Sequence, residues 1–246
     1  MESNKRSESA GIKNRICPVL FMVHVEPNDR KVSYQAPRWS GYEILHEYLF
    51  KMRPLLESAT RRPVRFSWMF RLDPQIELVY GRADWVVHQY RSLLEEADSA
   101  GDELGIHVHS WRPYRHLWKK KWLAEFSDKN WVSHCVDMAH QAFVDSYGKQ
   151  PKSFSFGEHY MSDAVLMQLE SLGYRCDISM HPGLEAAQSH VHHDKSKGWL
   201  PYYRATPRYP FKPSKKNFCY PLDGDERNIW EMPVSVGIAK DALGQL

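Results

Sequence analysis

The regular pattern of the chain begins with a short run that is apolar at almost every position. Residues 18–25 read Pro-Val-Leu-Phe-Met-Val-His-Val, which is typical of a strand buried on both faces of a parallel sheet. Residues 41–58 then carry apolar side chains at helical spacing. These are Ile44, Leu45, Tyr48, Leu49, Met52, Leu55 and Leu56. The first unit is therefore predicted to be a strand followed by a helix.

The same alternation of strand and helix repeats along the chain. Further strands are predicted at 64–70, 104–109, 153–156, 174–180 and 229–236, and further helices at 85–100, 130–147 and 162–172. Ser162 is the expected N-cap of the last helix, and Gly148 and Gly173 are expected to end helices. This alternation predicts a parallel sheet with crossover helices, either open or closed into a barrel.

Length and composition are those of a globular protein. The chain has 246 residues, of which 42% are hydrophobic and 26% are charged, and this excludes collagen, coiled coils and extensive disorder. Residues 1–15 lack apolar periodicity and are predicted to form a disordered leader, whereas 16–246 are predicted to form a single domain. The apolar run at 19–23 is too short for a signal peptide or a membrane span, so a cytoplasmic location without a membrane partner is predicted.

Charge and cysteine content exclude two further classes. The net charge is +3, and the basic residues are scattered apart from short runs such as 119–121. A nucleic-acid-binding protein concentrates its basic residues, so no nucleic-acid partner is predicted. The cysteines form no CxxC pair, which predicts buried thiols rather than a structural zinc module or a disulfide scaffold. They are Cys17, Cys135, Cys176 and Cys219.

Polar residues follow the C-terminal ends of the predicted strands, where parallel α/β folds place their functional groups. His107 and His109 are two residues apart on one strand, so both imidazoles project from one face about 7 Å apart, a separation that one metal ion can bridge where the strand ends. His24 and Glu26 repeat this spacing at the end of the first strand. The two pairs predict a metal site made of histidines and a carboxylate, with an open position for an activated water.

Other polar and aromatic residues have both a functional and a structural interpretation. Arg71 and Asp73 follow the second predicted strand and are either a cation and a base for catalysis or a salt-bridged loop. The aromatic residues of the irregular segment after 181, Trp199 and Tyr202 among them, are either a surface for stacking on sugar rings or an anchor for a long loop. A histidine triplet in the same segment is predicted to be an exposed loop: His190, His192 and His193.

Four motifs, in the same order along the chain, resemble those of one family. Residues 101–111, Gly-Asp-Glu-Leu-Gly-Ile-His-Val-His-Ser-Trp, are similar to a G-H-E-[IL]-G-x-H signature. Residues 21–27 are similar to an F-D-V-E-P opening, 169–180 to L-x-x-L-G-[FY]-x-x-D-x-S, and 230–234 to x-E-[IL]-P-V. The chain thus resembles the NodB-homology polysaccharide deacetylase superfamily. This resemblance implies an irregular (β/α) barrel of about seven strands with a divalent metal ion, expected to be zinc, at its mouth.

The sequence departs from the pattern of this family in four ways. The aspartate pair of the first motif is His-Val at 24–25, which leaves Glu26 as the nearest carboxylate. Trp111 stands at the position of the second histidine in the usual H-x-x-x-H motif. The ligand role of that histidine is therefore expected to fall to His109. Ser155 stands where many members have an arginine, and the late histidine that serves as their general acid has no counterpart in the chain.

The resemblance implies a metal-dependent hydrolase that removes an acetyl group from a sugar or glycan precursor. The expected metal ligands are Glu26, His107 and His109, and the expected catalytic base is His24 or Asp73. The expected substrate contacts are Arg71, Trp111, His159, Trp199 and Tyr202. The alternative is a catalytically inactive carbohydrate-binding or regulatory protein of the same fold. An amidohydrolase is disfavoured because its HxH pair belongs on the first strand.

Overall fold

The computed structural model describes residues 19–29, 34–116, 119–187 and 195–234. Some predictions of the sequence analysis fall outside these ranges and stay predictions. They are the leader 1–15, the thiol of Cys17, the histidine triplet at 190–193, and positions 235–236 of the last predicted strand.

The described residues form a chain of alternating strands and helices. The strands are β1 (Met22–Val25), β2 (Ser67–Arg71), β3 (Glu103–Val108), β4 (Trp111–His116), β5 (Lys119–Glu125), β6 (Ser153–Phe156), β7 (Cys176–Asp177), β8 (Lys195–Lys197) and β9 (Trp230–Glu231). The helices are α1 (Ser40–Thr60), α2 (Pro74–Tyr80), α3 (Trp85–Gln89), α4 (Arg91–Ser99), α5 (Lys129–Tyr147) and α6 (Asp163–Ser171). A single 3₁₀ turn, Gly157–His159, follows β6.

Six of the strands form one parallel sheet, as predicted. Their order is β1-β2-β3-β6-β7-β9, and every neighbouring pair is parallel. The register places His107 between Arg71 of β2 and Ser155 of β6. The closed barrel of about seven strands is not shown, because β1 and β9 are the two edge strands and no ladder joins them within the described ranges.

A second, three-stranded sheet is a feature that the hydrophobic pattern did not predict. β4 and β5 form an antiparallel hairpin, and β8 pairs parallel with β5. Two residues separate the hairpin from β3, so it begins at the C-terminal edge of the main sheet. Residues 111–125 mix basic and aromatic side chains, and such a mixture carries no clear period of two.

The helices also differ from the prediction between β2 and β3. The single helix predicted at 85–100 consists of α3 and α4, which meet at Tyr90, where φ is −119° and ψ is 28°. The unpredicted α2 precedes them. Asp73 caps its N-terminus by accepting hydrogen bonds from the backbone N–H groups of Gln75 and Ile76, and Pro74 occupies its first position.

The core lies between the main sheet and its helices. The fully buried strand residues include Trp68, Phe70, Ile106 and Phe154, as expected for strands that are covered on both faces. Each such side chain stabilises the fold by roughly 1.5–3 kcal/mol. This packing fixes the strand ends that carry the polar residues described below.

Several local predictions are confirmed. Oγ of Ser162 accepts a hydrogen bond from the backbone N–H of Val165 at 3.3 Å and so caps α6. Gly148 ends α5 in the left-handed conformation, with φ of 79°. The thiols of Cys135 and Cys219 are free and buried, whereas the free thiol of Cys176, also predicted to be buried, is only partly so. None of the helices in the described ranges has the length and apolar content that crossing a membrane requires.

Candidate metal centre

Two strand ends bring the predicted metal ligands together. His107 belongs to β3 and His109 follows it, whereas Glu26 follows β1. β1 and β3 flank β2 in the parallel sheet, so their C-terminal ends lie at the same edge. This edge is where the sequence placed the metal site.

The three predicted ligands present their polar atoms to one point. Nε2 of His107 lies 2.9 Å from Nε2 of His109. Oε2 of Glu26 lies 3.4 Å from Nε2 of His109 and 4.0 Å from Nε2 of His107. A zinc ion binds nitrogen and oxygen ligands at about 2.0–2.2 Å, so ligand atoms at these separations can share one ion. This donor set is compatible with a divalent metal.

His24 is a fourth polar side chain at the same point. One ligand atom each of His24, Glu26 and His107 also lie within 4.8 Å of one another. However, the rings of His24 and His107 are stacked, with centroids 3.9 Å apart and planes 19° apart. Two stacked rings cannot direct their in-plane nitrogen lone pairs at one point, so His24 and His107 would not both hold one ion. The rings of His107 and His109 are perpendicular, at 88°, and this geometry lets both point at one ion.

The rings of His107 and His109 are each oriented by a contact at Nδ1, the ring nitrogen that faces away from the predicted metal site. His107 donates its Nδ1–H to the backbone carbonyl of Ser155 at 3.1 Å, which leaves the lone pair on Nε2, the nitrogen that lies nearest to His109 and Glu26. Nδ1 of His109 lies 3.0 Å from Oε2 of Glu158. Metal-binding histidines characteristically donate the other ring N–H to a carbonyl or carboxylate, and both histidines have such a partner.

The protonation states of Glu26 and His107 suit metal binding, whereas His109 is protonated and has to lose its proton to a bound ion. Burial lowers the pKa of the His107 ring well below its usual range. Burial opposes ionisation of Glu26, but the hydrogen bond from His109 and the charges of His107, His109 and Arg71 hold its pKa well below the usual range. Burial likewise lowers the pKa of His109, but the charge of Glu158 outweighs it and raises the pKa to about 9. Glu26 is thus ionised and His107 neutral at neutral pH.

His24 is neutral as well. Part of its side chain is exposed at the edge of the sheet, but the protein atoms packed around the ring displace water and lower its pKa to about 4. Positive charge on His109, His159 and Arg71 acts in the same direction, against the charge of Glu26. Nε2 of His24 lies 3.2 Å from Oγ of Ser155. A neutral imidazole of this kind can accept a proton.

Arg71 and Asp73 lie behind the site rather than in it. Arg71 is 1% exposed, and its guanidinium donates to Asp73 at 2.7 Å, to Gln75, and to Glu26 at 3.4 Å. The Asp73 oxygen that binds Arg71, Oδ2, also accepts from the backbone N–H of His109 at 2.9 Å. The other oxygen, Oδ1, caps α2. The predicted substrate contact of Arg71 and the predicted base role of Asp73 do not fit these buried, fully engaged groups.

The other predicted substrate contacts divide into buried and exposed residues. Trp111 is 4% exposed, and its indole lies 3.2 Å from Nδ1 of His109, so it packs against a predicted ligand and presents little surface to a sugar. His159 is half-buried and contacts the ring of His181. Trp199 and Tyr202 are exposed on the segment between β8 and β9, and no hydrogen bond or ring contact joins them to the described part of the metal centre.

Glu158, Gly157 and Ser155 are site residues to which the sequence analysis gave no role. A Cβ atom at Gly157 would lie 2.2 Å from Nδ1 of His109, so glycine is required for the His109 ring to lie where it does. Glu158 and His159 follow with φ of 51° and 58°, a left-handed conformation that is uncommon outside glycine. The sequence signal that could have identified Gly157 and Glu158 as site residues is their position directly after the predicted strand 153–156.

Comparisons with known proteins find similarity at the level of structure. No protein-family model matches the sequence, and no curated protein matches it. The structure is similar to a protein assigned as a polysaccharide deacetylase from Mycobacterium smegmatis, with 14% identity and a TM-score of 0.38. That match covers 70% of this chain and 41% of the other, so it spans less than half of that protein. The structure is also similar to IcaB from Ammonifex degensii, with 13% identity, a TM-score of 0.32, and coverage of 66% and 83% of the two chains.

Proposed function

We propose that the protein is a metal-dependent hydrolase of the polysaccharide deacetylase type, which removes an acetyl group from the nitrogen of a sugar or glycan precursor. The observation that carries this proposal is the convergence of Glu26, His107 and His109, whose polar atoms lie within 4.0 Å of one another. The motif resemblance adds the substrate class. A cytoplasmic location, predicted from the sequence, stays part of the proposal and favours a soluble precursor.

Glu26, His107 and His109 would hold the ion. Two nitrogen donors and one carboxylate are a ligand set typical of catalytic zinc, which we propose as the metal. Such an ion supplies a water of lowered pKa and polarises the amide carbonyl. The remaining chemistry belongs to side chains of this protein.

His24 is the proposed base. In the tautomer in which Nε2–H of His24 donates to Oγ of Ser155 at 3.2 Å, Nδ1 carries the lone pair and is the proposed acceptor of a proton from the attacking water. The low pKa of His24 keeps the ring neutral at neutral pH, so that a lone pair is free to accept a proton. Asp73 cannot take this role because both of its oxygens are occupied.

Arg71 and Asp73 are proposed as positioning residues. The Arg71 guanidinium contacts Glu26 and Asp73, and Asp73 in turn accepts the backbone N–H of His109. This chain of contacts joins one proposed ligand to another through two buried residues, Arg71 and Asp73. It holds the ligands in place before the ion binds, which lowers the cost of forming the site.

The experiment is a measurement of acetate release from N-acetylglucosamine oligomers, with zinc supplied. The parent protein is expected to release acetate, and the His24→Ala and His107→Ala variants are expected to lose at least 99% of that activity. His134→Ala is the matched control, because His134 is exposed on α5, away from the site. Equal activity in His107→Ala and the control would contradict the proposal.

A second candidate function is carbohydrate binding without catalysis. The 2.9 Å separation of the Nε2 atoms of His107 and His109 is also that of a direct hydrogen bond, and a protonated His109 would donate it. Such a bond closes the cluster without an ion. Tight binding of an N-acetylated sugar by a protein that takes up no zinc would favour this function over the hydrolase.

A further inference from the structure

Helix α1 carries apolar side chains on two opposite sides. Its inner side packs on the main sheet, because the rings of Tyr42 and His46 both contact Trp68 of β2. Successive residues of an α-helix are about 100° apart around its axis, so a residue two positions further along faces the opposite way. Ile44 and Tyr48 stand two positions after Tyr42 and His46. They therefore face away from the sheet.

Four residues on the outward side of α1 form one row. They follow one another at intervals of four, three and four positions, which is the spacing of a single helix face. The members, here called the outer row, are Ile44, Tyr48, Lys51 and Leu55. Ile44 is 69% exposed, Tyr48 57% and Leu55 63%. A contiguous row of exposed apolar side chains indicates an interaction surface.

No other helix in the described ranges carries such a row. The large apolar side chains that are exposed on other helices stand singly, Leu78 on α2 and Met167 on α6. Single exposed apolar residues are ordinary on a protein surface. On α1, by contrast, the three apolar members of the outer row are joined by Leu45, which is also exposed. The outer face of α1 is therefore the helix surface that most needs a partner.

The spacing of the outer row is the same when it is read from either end. Two copies of α1 that pack antiparallel about a two-fold axis therefore bring each Ile44 against Leu55 of the other copy, so that apolar ends meet. In the middle, each Tyr48 meets Lys51 of the other copy. The stem of a lysine can cover a tyrosine ring, and its ammonium group is attracted to the ring face. The row is thus complementary to itself.

The charges beside the row favour the same arrangement. Glu47 and Lys51 form an exposed ion pair one helical turn apart. In the antiparallel arrangement Glu47 of one copy lies beside Lys51 of the other, so the four charges alternate in sign. A parallel arrangement would instead place Lys51 beside Lys51 and Glu47 beside Glu47, and it would align the two helix dipoles. The charge pattern therefore fits a second copy in antiparallel orientation.

The size of this surface sets the expected strength of the contact. With Leu45 and Glu47 at its sides, the outer row exposes roughly 500–600 Å² per copy, which is at the low end of specific interfaces. Interfaces of this size are typical of weak complexes that exchange readily. We therefore expect a dissociation constant on the order of 10–100 µM.

We infer that the outer row of α1 is an interface between two copies of this chain, related by a two-fold axis that makes the α1 helices antiparallel. α1 connects the parallel strands β1 and β2 and so runs antiparallel to both. The axis therefore places the two candidate metal centres at opposite ends of the dimer. The inference does not rest on the proposed function, because the outer row lies on the side of α1 that faces away from the sheet.

The experiment is sedimentation velocity at protein concentrations from about 5 to 500 µM, a range that brackets the expected dissociation constant. The mass is expected to rise from the 28.9 kDa of one chain toward twice that value. A parent protein that stays monomeric over the whole range would overturn the inference.

A pair of matched variants locates the interface. Leu55→Glu is expected to raise the dissociation constant at least tenfold, because it places a charge against the apolar Ile44 of the other copy. Met167→Glu makes a similar change at an equally exposed residue of α6, and it is expected to dimerise like the parent. Equal midpoints of urea unfolding would show that both variants are folded. Equal dissociation constants of the two folded variants would overturn the inference.

A charge exchange tests the antiparallel orientation. Lys51→Glu is expected to weaken the dimer at least fivefold, since it places acidic groups of the two copies side by side. The double variant Glu47→Lys/Lys51→Glu exchanges both partners and is expected to recover most of the lost affinity. Absence of recovery would overturn the inferred arrangement. A monomeric protein that binds anionic lipid vesicles through Leu55 would assign the row to a membrane surface and would also overturn the inference.

Discussion

Nδ1 of His109 lies 3.0 Å from a carboxylate oxygen of Glu158. Glu158 makes this contact from a left-handed conformation, with φ of 51°. Such a conformation costs a non-glycine residue of the order of 1–3 kcal/mol and persists where the surroundings hold it. The contact is therefore maintained against a local cost, as expected of a residue whose task is to orient the His109 ring.

Removing the charge of Glu158 is expected to weaken metal binding. In Glu158→Gln the His109 ring loses a charged partner, and the loss of such a partner lowers metal affinity about 10- to 100-fold. The measurement is competition for zinc against a chromophoric chelator. Glu185→Gln is the control, because Glu185 is exposed and pairs with Arg204 on the surface. If both variants bind zinc like the parent, Glu158 does not orient a ligand.

Gly157→Ala tests the same placement by steric means. The added methyl group would lie 2.2 Å from Nδ1 of His109, so the ring must move away from both Glu158 and His107. The φ of Gly157 is not positive, so the backbone itself accepts alanine. We expect at least a tenfold loss of zinc affinity with a loss of about 1–3 kcal/mol in the free energy of unfolding. A variant with the zinc affinity of the parent would show that His109 lies elsewhere.

The buried position of Arg71 predicts a large effect on stability. Arg71→Met removes the guanidinium and leaves the buried carboxylate of Asp73 without its charged partner. Breaking a buried ion pair in this way costs about 3–5 kcal/mol, which urea unfolding measures directly. Arg82→Met is the control, since Arg82 is exposed and pairs with Asp84 on the surface, and it is expected to unfold like the parent. Equal stability of the two variants would contradict the positioning role of Arg71.

A second buried group predicts how stability depends on pH. Asp177 and Glu231 are neighbours in the register of β7 and β9, and both are fully buried. Burial raises the pKa of Asp177 to about 6. Burial and the charge of Asp177 also hold the pKa of Glu231 well above its usual range. The folded protein therefore keeps a proton on this pair, whereas in the unfolded chain both groups ionise near pH 4.

The sign of the effect follows from these raised pKa values. The pair contributes its full stability below about pH 4, and that contribution is lost as the pH rises through about 6 and above. Glu231→Gln removes one titrating group, so we expect the variant to lose less stability than the parent between pH 5 and pH 8. Urea unfolding of both proteins across this range is the measurement. Parallel pH profiles would mean that the pair does not hold a proton in the folded state.

The strand ends are the part of the site that the sequence predicts well. The spacing of two in His107/His109 and in His24/Glu26, together with the expected parallel sheet, is enough to bring these side chains to one edge. The contacts of Ser155 and Glu158 with His107 and His109 are different. They depend on the pairing of β3 with β6, segments about 48 residues apart, and no local pattern specifies this pairing.

The local sequence pattern also does not predict which strand-end side chains are buried or whether the sheet closes into a barrel. Arg71 and Asp73 follow a strand in the same way as the histidines, and only the packing of α2 over them shows that they face the interior. A run of alternating strands and helices fits an open sheet and a barrel equally, so the pattern does not decide between the two. The hairpin of β4 and β5 was missed because its basic and aromatic residues show no clear period of two, although Trp111, Trp122 and Ala124 are buried.

The central claim is that Glu26, His107 and His109 bind a divalent metal ion, and metal content tests it most directly. The parent protein, supplied with zinc and then freed of excess metal, is expected to retain about one equivalent. The His107→Ala/His109→Ala double variant is expected to retain none, and His134→Ala is expected to match the parent. A parent protein that retains no metal, or a double variant that retains as much as the parent, would contradict the account.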